Sequence, residues 1–123
     1  METGLSYTST LTVTEKDLAI HIGSGDLNVL ATPTMLALME NAAMMAVKDK
    51  VGEGNTTVGS KICSSHLKPT ACGQTITATA TLTAVEGRKL TFHITASDEQ
   101  GLIGEGEHVR YIVNTDKFMS KLK

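Results

Sequence analysis

The chain has 123 residues, 41% of them apolar, and a formal net charge of −2. That length suits one compact domain and leaves no room for a second, while the apolar share excludes a disordered chain. So slight an acidity gives no electrostatic basis for binding nucleic acid or a membrane surface. Cys63 and Cys72, the only cysteines, form neither a CxxC motif nor a metal-ligand pair. The opening Met1-Glu-Thr-Gly has no basic region and no apolar run, so no signal peptide is expected, and a cytoplasmic protein with reduced thiols is.

Tyr7 to Val13 alternates by about two and is rich in threonine, the pattern of a strand. Thr14-Glu-Lys-Asp reads as a turn or a capped helical turn. Leu18-Ala-Ile-His-Ile22 reads as a short strand or the edge of a loop, and Gly23-Ser-Gly-Asp26 as loop. The stretch from Asn28 to Lys48 then holds the longest expected helix. Thr32 suits its N-cap and Pro33 its first position, where a missing N–H is harmless. Met35, Leu36, Leu38, Met39, Ala42, Ala43, Ala46 and Val47 recur at helical spacing. They cover most of the circumference, so the helix is expected to be buried. Lys48 and Lys50 suit its C-terminal end, and Gly52 and Gly54 its stop. It is too short and too charged to span a bilayer.

From Thr56 onward the pattern is strand after strand. Thr56 to Leu67 is the first, and simple alternation along it sets Val58, Ser60, Ile62, Ser64 and His66 on one side, with Gly59, Cys63 and Leu67 on the other. Pro69 to Gly73 is a turn, and Gln74 to Val85 the next strand. Glu86-Gly-Arg-Lys89 is a compact hairpin connection. Leu90 to Ser97 and Leu102 to Val113 follow, joined by Asp98 to Gly101, and Asn114 or Thr115 caps a short terminal helix. Strands joined so tightly cannot be parallel βαβ units. The expected class is α+β: one domain over residues 1–123, its core about 7–115, with an antiparallel sheet wrapped around one helix.

Three polar residues stand out against this apolar frame. Glu40 interrupts the helix wall, and an unpaired carboxylate there would be costly, so it needs a partner, water or a task. A partly buried Glu has a raised pKa and is useful as a base or acid near neutrality. His66 is a core-edge histidine or a proton shuttle. Thr32 is a cap or a hydroxyl poised to attack, which needs an adjacent base. Gly59 marks a strand bulge or a close approach, and Arg110 either a surface ion pair or a phosphate ligand. His21, His93 and His108 read as structural or exposed. No His spacing suits a metal, so none is expected.

The order of strand, long apolar helix and four strands is that of the hotdog fold, a curved antiparallel sheet around a central helix. Leu30-Ala-Thr-Pro, Leu38-Met-Glu-Asn-Ala-Ala and Val58-Gly-Ser-Lys-Ile-Cys-Ser-Ser-His66 carry a more specific likeness, with Val85-Glu-Gly-Arg-Lys-Leu90 and Gly104-Glu-Gly-Glu-His-Val-Arg110. From about Leu27 to Phe118 the chain resembles the fluoroacetyl-CoA thioesterase family. The resemblance implies a catalytic set of Thr32, Glu40 and His66, with Gly59 near the reacting acyl group and Arg110 as a further substrate-site residue. It implies hydrolysis of a short or small acyl-CoA by a homodimer with sites at its interface. No cofactor is implied, since CoA is part of the substrate. Another hotdog enzyme, a hydratase or dehydratase, and a non-catalytic acyl-CoA-binding module are the alternative readings. The family member specialised for fluoroacetyl groups carries a phenylalanine lid before the helix. This chain has Asp26-Leu-Asn-Val-Leu30 there, and its two phenylalanines, Phe92 and Phe118, lie elsewhere. Eight residues of helix also span about 12 Å, too far for Thr32 and Glu40 to touch. Either the helix begins after Thr32, or the two act from different subunits.

Overall fold

The computed structural model describes residues 1–122. Five strands form one antiparallel sheet: β1 (Ser6–Thr12), β2 (Asn55–His66), β3 (Thr75–Glu86), β4 (Lys89–Asp98) and β5 (Gly101–Asn114). Their order across the sheet is β1-β3-β4-β5-β2, so the long β2 strand lies at one edge. Helix α2 (Thr32–Val47) packs across the sheet, chiefly against β1 and β3. Among the described residues no helix is long and apolar enough to cross a membrane.

Alternation builds the core. Ile76, Ala78, Ala80 and Leu82 of β3 and Leu90, Phe92, Ile94 and Ala96 of β4 are all buried on one face. Met35, Met39, Ala42, Ala43 and Val47 of α2 are buried against them. Each fully buried large side chain of this kind contributes roughly 1.5–3 kcal/mol. The alanines in β3 leave room for the helix, and its methionines fill the uneven gap. The opposite face of α2 is less covered: Leu36, Leu38 and Met44 are half-buried and Ala37 is exposed.

The entry to α2 is held by backbone bonds. A single 3-10 turn, Glu15–Asp17, is closed by Thr14, whose N–H and hydroxyl both donate to the Asp17 carboxylate. The Asp17 carbonyl accepts from Ala31 N–H, and the Thr70 carbonyl from Leu30 N–H. Thr32 therefore starts the helix from a fixed platform.

Three sequence expectations are corrected. The segment from Leu18 to Ile22 forms α1 (Ala19–Ile22), a single helical turn ended by Gly23 at φ 89°. Only Leu18 keeps a strand-like bridge, to Leu30. The N-cap of α2 is Ala31 rather than Thr32, and it makes no side-chain cap bond. Thr32 is already the first helical residue, so its hydroxyl is free for other work. The third correction concerns β2. Gly59 pairs with Arg110 and Lys61 with Val109, which leaves Ser60 as an extra residue in a bulge. One inserted residue exchanges the faces of all that precedes it. Gly59 thus shares the helix-facing side with Ile62, Ser64 and His66, not the opposite side that simple alternation assigns.

Expectation and structure agree on α3 (Thr115–Ser120), where the Asn114 side chain accepts from Lys117 N–H at 3.0 Å. The β3–β4 hairpin turns through Gly87 at φ 61°, a left-handed value that suits glycine.

Candidate active site

Two polar clusters lie between α2 and the sheet. At the start of α2, Thr32 Oγ1 is 2.7 Å from His66 Nδ1 at the end of β2. His66 Nε2 is buried, with no hydrogen-bond partner among the described residues. Burial lowers the His66 pKa below its ordinary value, and the Lys68 backbone opposes this in part. The ring is therefore held neutral near pH 7, and a neutral imidazole beside a hydroxyl can take its proton. A cavity of about 270 Å³ opens at this pair, lined by Ala19, Val29, Leu30 and Leu67, with Lys68 at the edge.

Two turns further along α2, Glu40 meets β5. Its Oε2 is 3.6 Å from Arg110 Nη1. The Glu40 side chain is 43% exposed and that of Arg110 8%, so the cation is buried and the anion faces the open side. Arg110 is not the surface ion pair that is one of its sequence readings. Its Nε donates to Thr57 Oγ1 at 2.8 Å and its Nη2 to the Thr57 carbonyl at 3.0 Å. Burial draws the Arg110 pKa down, and Glu40 opposes that; a guanidinium nevertheless remains charged. Gly59 lies opposite Arg110 and beneath the carboxylate: a Cβ built there would meet Glu40 Oε2 at 2.7 Å.

His108 completes this cluster, and alternation alone does not single it out. It is fully buried, beside Phe92 at a ring-centroid distance of 6.2 Å. The signal available in the sequence is its place two residues before Arg110, which sets both on one face of β5.

Within one chain, then, Thr32 is brought to His66, and Glu40 to Gly59 and Arg110. Both clusters sit on one continuous helix that includes Thr32, so the eight-residue separation of about 12 Å stands.

An antiparallel sheet around one helix, with a hydroxyl–imidazole pair beside a cavity, defines a hotdog protein with the equipment of an acyl-transfer hydrolase. Residues 13–116 match the model of a family described as fluoroacetyl-CoA-specific thioesterase. The chain is 38% identical over 95 residues to the fluoroacetyl-CoA thioesterase of Streptantibioticus cattleyicolor, covering 77% of this chain and 68% of that one. A solved structure of a threonine-to-serine mutant of the fluoroacetyl-CoA enzyme FlK, in complex with acetyl-CoA, superposes with a TM-score of 0.93 at 31% identity, over 99% of this chain and 96% of the other. A Thermus thermophilus member of the thioesterase superfamily shares the fold, with a TM-score of 0.90 at 24% identity over 98% and 89%. The chain belongs to the fluoroacetyl-CoA-specific thioesterase family.

Proposed function

We propose that this thioester hydrolase cleaves a short or small acyl-CoA to the free acid and CoA, using Thr32, His66 and Glu40. The observation that carries the reading is the 2.7 Å contact between the Thr32 hydroxyl and His66 Nδ1, the pairing of nucleophile and base that acyl transfer requires. His66 accepts the proton as Thr32 Oγ1, or a water held by it, attacks the thioester carbonyl. The proton then passes to the departing thiolate. If Thr32 itself attacks, a water that gives its proton to His66 or Glu40 then cleaves the acyl-threonine ester, releasing the acid and restoring the hydroxyl; if a water attacks, the acid leaves directly. Backbone N–H groups near Gly59 are the candidates for holding the oxyanion, a contribution that is often the largest in such reactions.

A small acyl group is favoured by the cavity. Its volume of about 270 Å³ falls below the roughly 300–1,000 Å³ of sites for drug-sized ligands. Val29 and Leu30, which line it, end the segment Asp26-Leu-Asn-Val-Leu30, which carries no phenylalanine. Selectivity for the fluoroacetyl group is therefore no part of the proposal.

The site is shared by two subunits of a homodimer. The edge strand β2 offers its unpaired backbone to a second copy, and the half-covered face of α2 offers Leu36 and Leu38. A twofold relation between β2 strands makes two equivalent sites. Each then combines Thr32 and His66 of one subunit with a carboxylate of the other. A soluble, cytoplasmic setting accords with the free thiols of Cys63 and Cys72.

The test is thiol release from acyl-CoAs ranging from acetyl to palmitoyl, with phenylacetyl- and fluoroacetyl-CoA included. Turnover should be highest for short chains and fall at least about a hundredfold in Glu40→Ala, the scale of lost acid–base catalysis. Binding of CoA esters with no turnover of any of them would replace the enzyme by a binding module.

A further inference from the structure

The buried polar group that this chemistry leaves unused is His108. Its Nδ1 is 2.7 Å from the Lys61 carbonyl oxygen. A carbonyl only accepts, so Nδ1 must carry the proton. In the neutral ring Nε2 is then an acceptor, and Arg110 Nη1 lies 3.2 Å from it. The tautomer thus follows from the carbonyl that the chain sets beside it. Lys61 is the residue immediately after the Ser60 bulge, so the insertion that turns Gly59 towards Glu40 also governs the His108 ring.

We infer that His108 is a positioning residue: pinned by the Lys61 carbonyl, it accepts from Arg110 Nη1 and so aims the guanidinium at Glu40 above Gly59. Thr57 holds the other two nitrogens of Arg110, so the fork is fixed at three corners. Nη1 is the nitrogen shared between His108 and Glu40. Thr57 alone leaves the planar fork free to tilt about the line from Nε to Nη2, and the His108 acceptor removes that tilt, which sets where Nη1 lies against the carboxylate. The inference rests on the thioesterase reading for its effect on turnover, but not for the brace itself.

The groups facing His108 are few: Arg110 on β5, Glu40 on α2 and the Lys61 carbonyl on β2, with apolar Phe92 on β4. Protonating Nε2 would remove the acceptor and set a second cation against Arg110. Burial, the larger cause, and Arg110 both disfavour that protonation, while the Lys61 carbonyl and Glu40 favour it; the pKa is lowered overall.

A double-mutant cycle tests the coupling. His108→Leu should lower kcat by about tenfold to a hundredfold, the scale for a displaced group, with KM little changed. In an Arg110→Met background it should cost nothing further. Equal losses in both backgrounds, or an unchanged kcat, would overturn the inference. If His108→Leu does not fold, His108→Gln carries the test, because its amide oxygen can accept from Arg110 and cannot titrate there. The fall of kcat on acidification should then be shallower than in the wild type, where protonating His108 also removes the acceptor; an unchanged acid limb refutes the role. Should the wild type release no thiol from any acyl-CoA, the resonance of the Arg110 Nη1–H that His108 accepts from still reports the brace. It should be protected in the wild type and lost to exchange in the Leu variant, and equal protection in both would sink it.

Discussion

Gly59 and Glu40 share one small space: a Cβ on the glycine would lie 2.7 Å from the carboxylate Oε2, and 3.3 and 3.4 Å from His108 Cε1 and Arg110 Nη1. No real Cβ sits that close to a neighbour, but a carboxylate at the end of a flexible chain can retreat. Gly59 has no positive φ, so an alanine is admissible to the backbone. Gly59→Ala should therefore fold with a stability within about 1 kcal/mol of the wild type, the range of a tolerated substitution. It should lose about a hundredfold in kcat, the cost of moving a reacting group by an ångström. Thermal melts and thiol release together check this, and full activity would show that the carboxylate does not need its present position.

Removing the Thr32 hydroxyl should separate function from fold in the same way. Because Ala31 is the cap and makes no side-chain bond, Thr32→Ala forfeits no cap, and its stability should change by no more than about 0.5 kcal/mol. Its turnover should fall by at least about a hundredfold, whereas Thr32→Ser keeps the hydroxyl and should retain most of it. Intact-mass analysis during turnover distinguishes a covalent acyl-threonine from a water held in place.

Much of this was legible from residue patterns alone. Alternation in Gln74 to Val85 and Leu90 to Ser97 places the core strands, and the apolar run from Met35 to Val47 places the helix. Periodicity fails at Ser60, because a bulge leaves no trace in composition: the residues on either side of it obey the period of two, and only the backbone pairing shows that one is extra. For the same reason a period of two sets Gly59 on the side opposite His66 and does not by itself bring it to Glu40. The cap lies one residue before the Thr32 that sequence preference selects, because Thr and Pro are favoured at neighbouring positions and the bond from Ala31 N–H to the Asp17 carbonyl decides where the helix begins. His108 reads as structural or exposed from sequence, because a buried histidine on a strand has no signature beyond its spacing from Arg110.

Acidification should weaken both activity and stability. His66 and His108 each have a pKa below the ordinary 6.5, with burial the largest cause. The unfolded chain binds their protons more readily, so unfolding takes up protons as pH drops below that value. Their contribution is fully present above pH about 6.5 and is lost as pH falls through the lower, folded-state values. Denaturant midpoints should fall across that window. They should fall less steeply in His108→Gln, and a midpoint independent of pH would contradict the burial of both rings. In the proposed mechanism activity follows the same sign, because there His66 accepts the Thr32 proton only when neutral; kcat/KM should rise with pH and level off near neutrality.

The separation of Thr32 from Glu40 along one helix gives the sharpest test of a shared site. Thr32→Ala and Glu40→Gln should each be nearly inactive alone. If every site draws Thr32 from one subunit and Glu40 from the other, a mixed dimer holds one site with both changes and one with neither. Random mixing after reversible dissociation makes half of the dimers mixed, so about a quarter of wild-type activity should return. If each subunit used its own pair, every site in the mixture would carry one change and nothing would return. The thiol-release rate after co-refolding equal amounts of the two variants, beside a sedimentation measurement of dimer formation, decides between these arrangements. A dimer that forms without recovering activity would place Thr32 and Glu40 of each site in one chain and overturn the shared site, whereas a Glu40→Gln variant that keeps its activity alone would leave the Glu40 cluster a structural task.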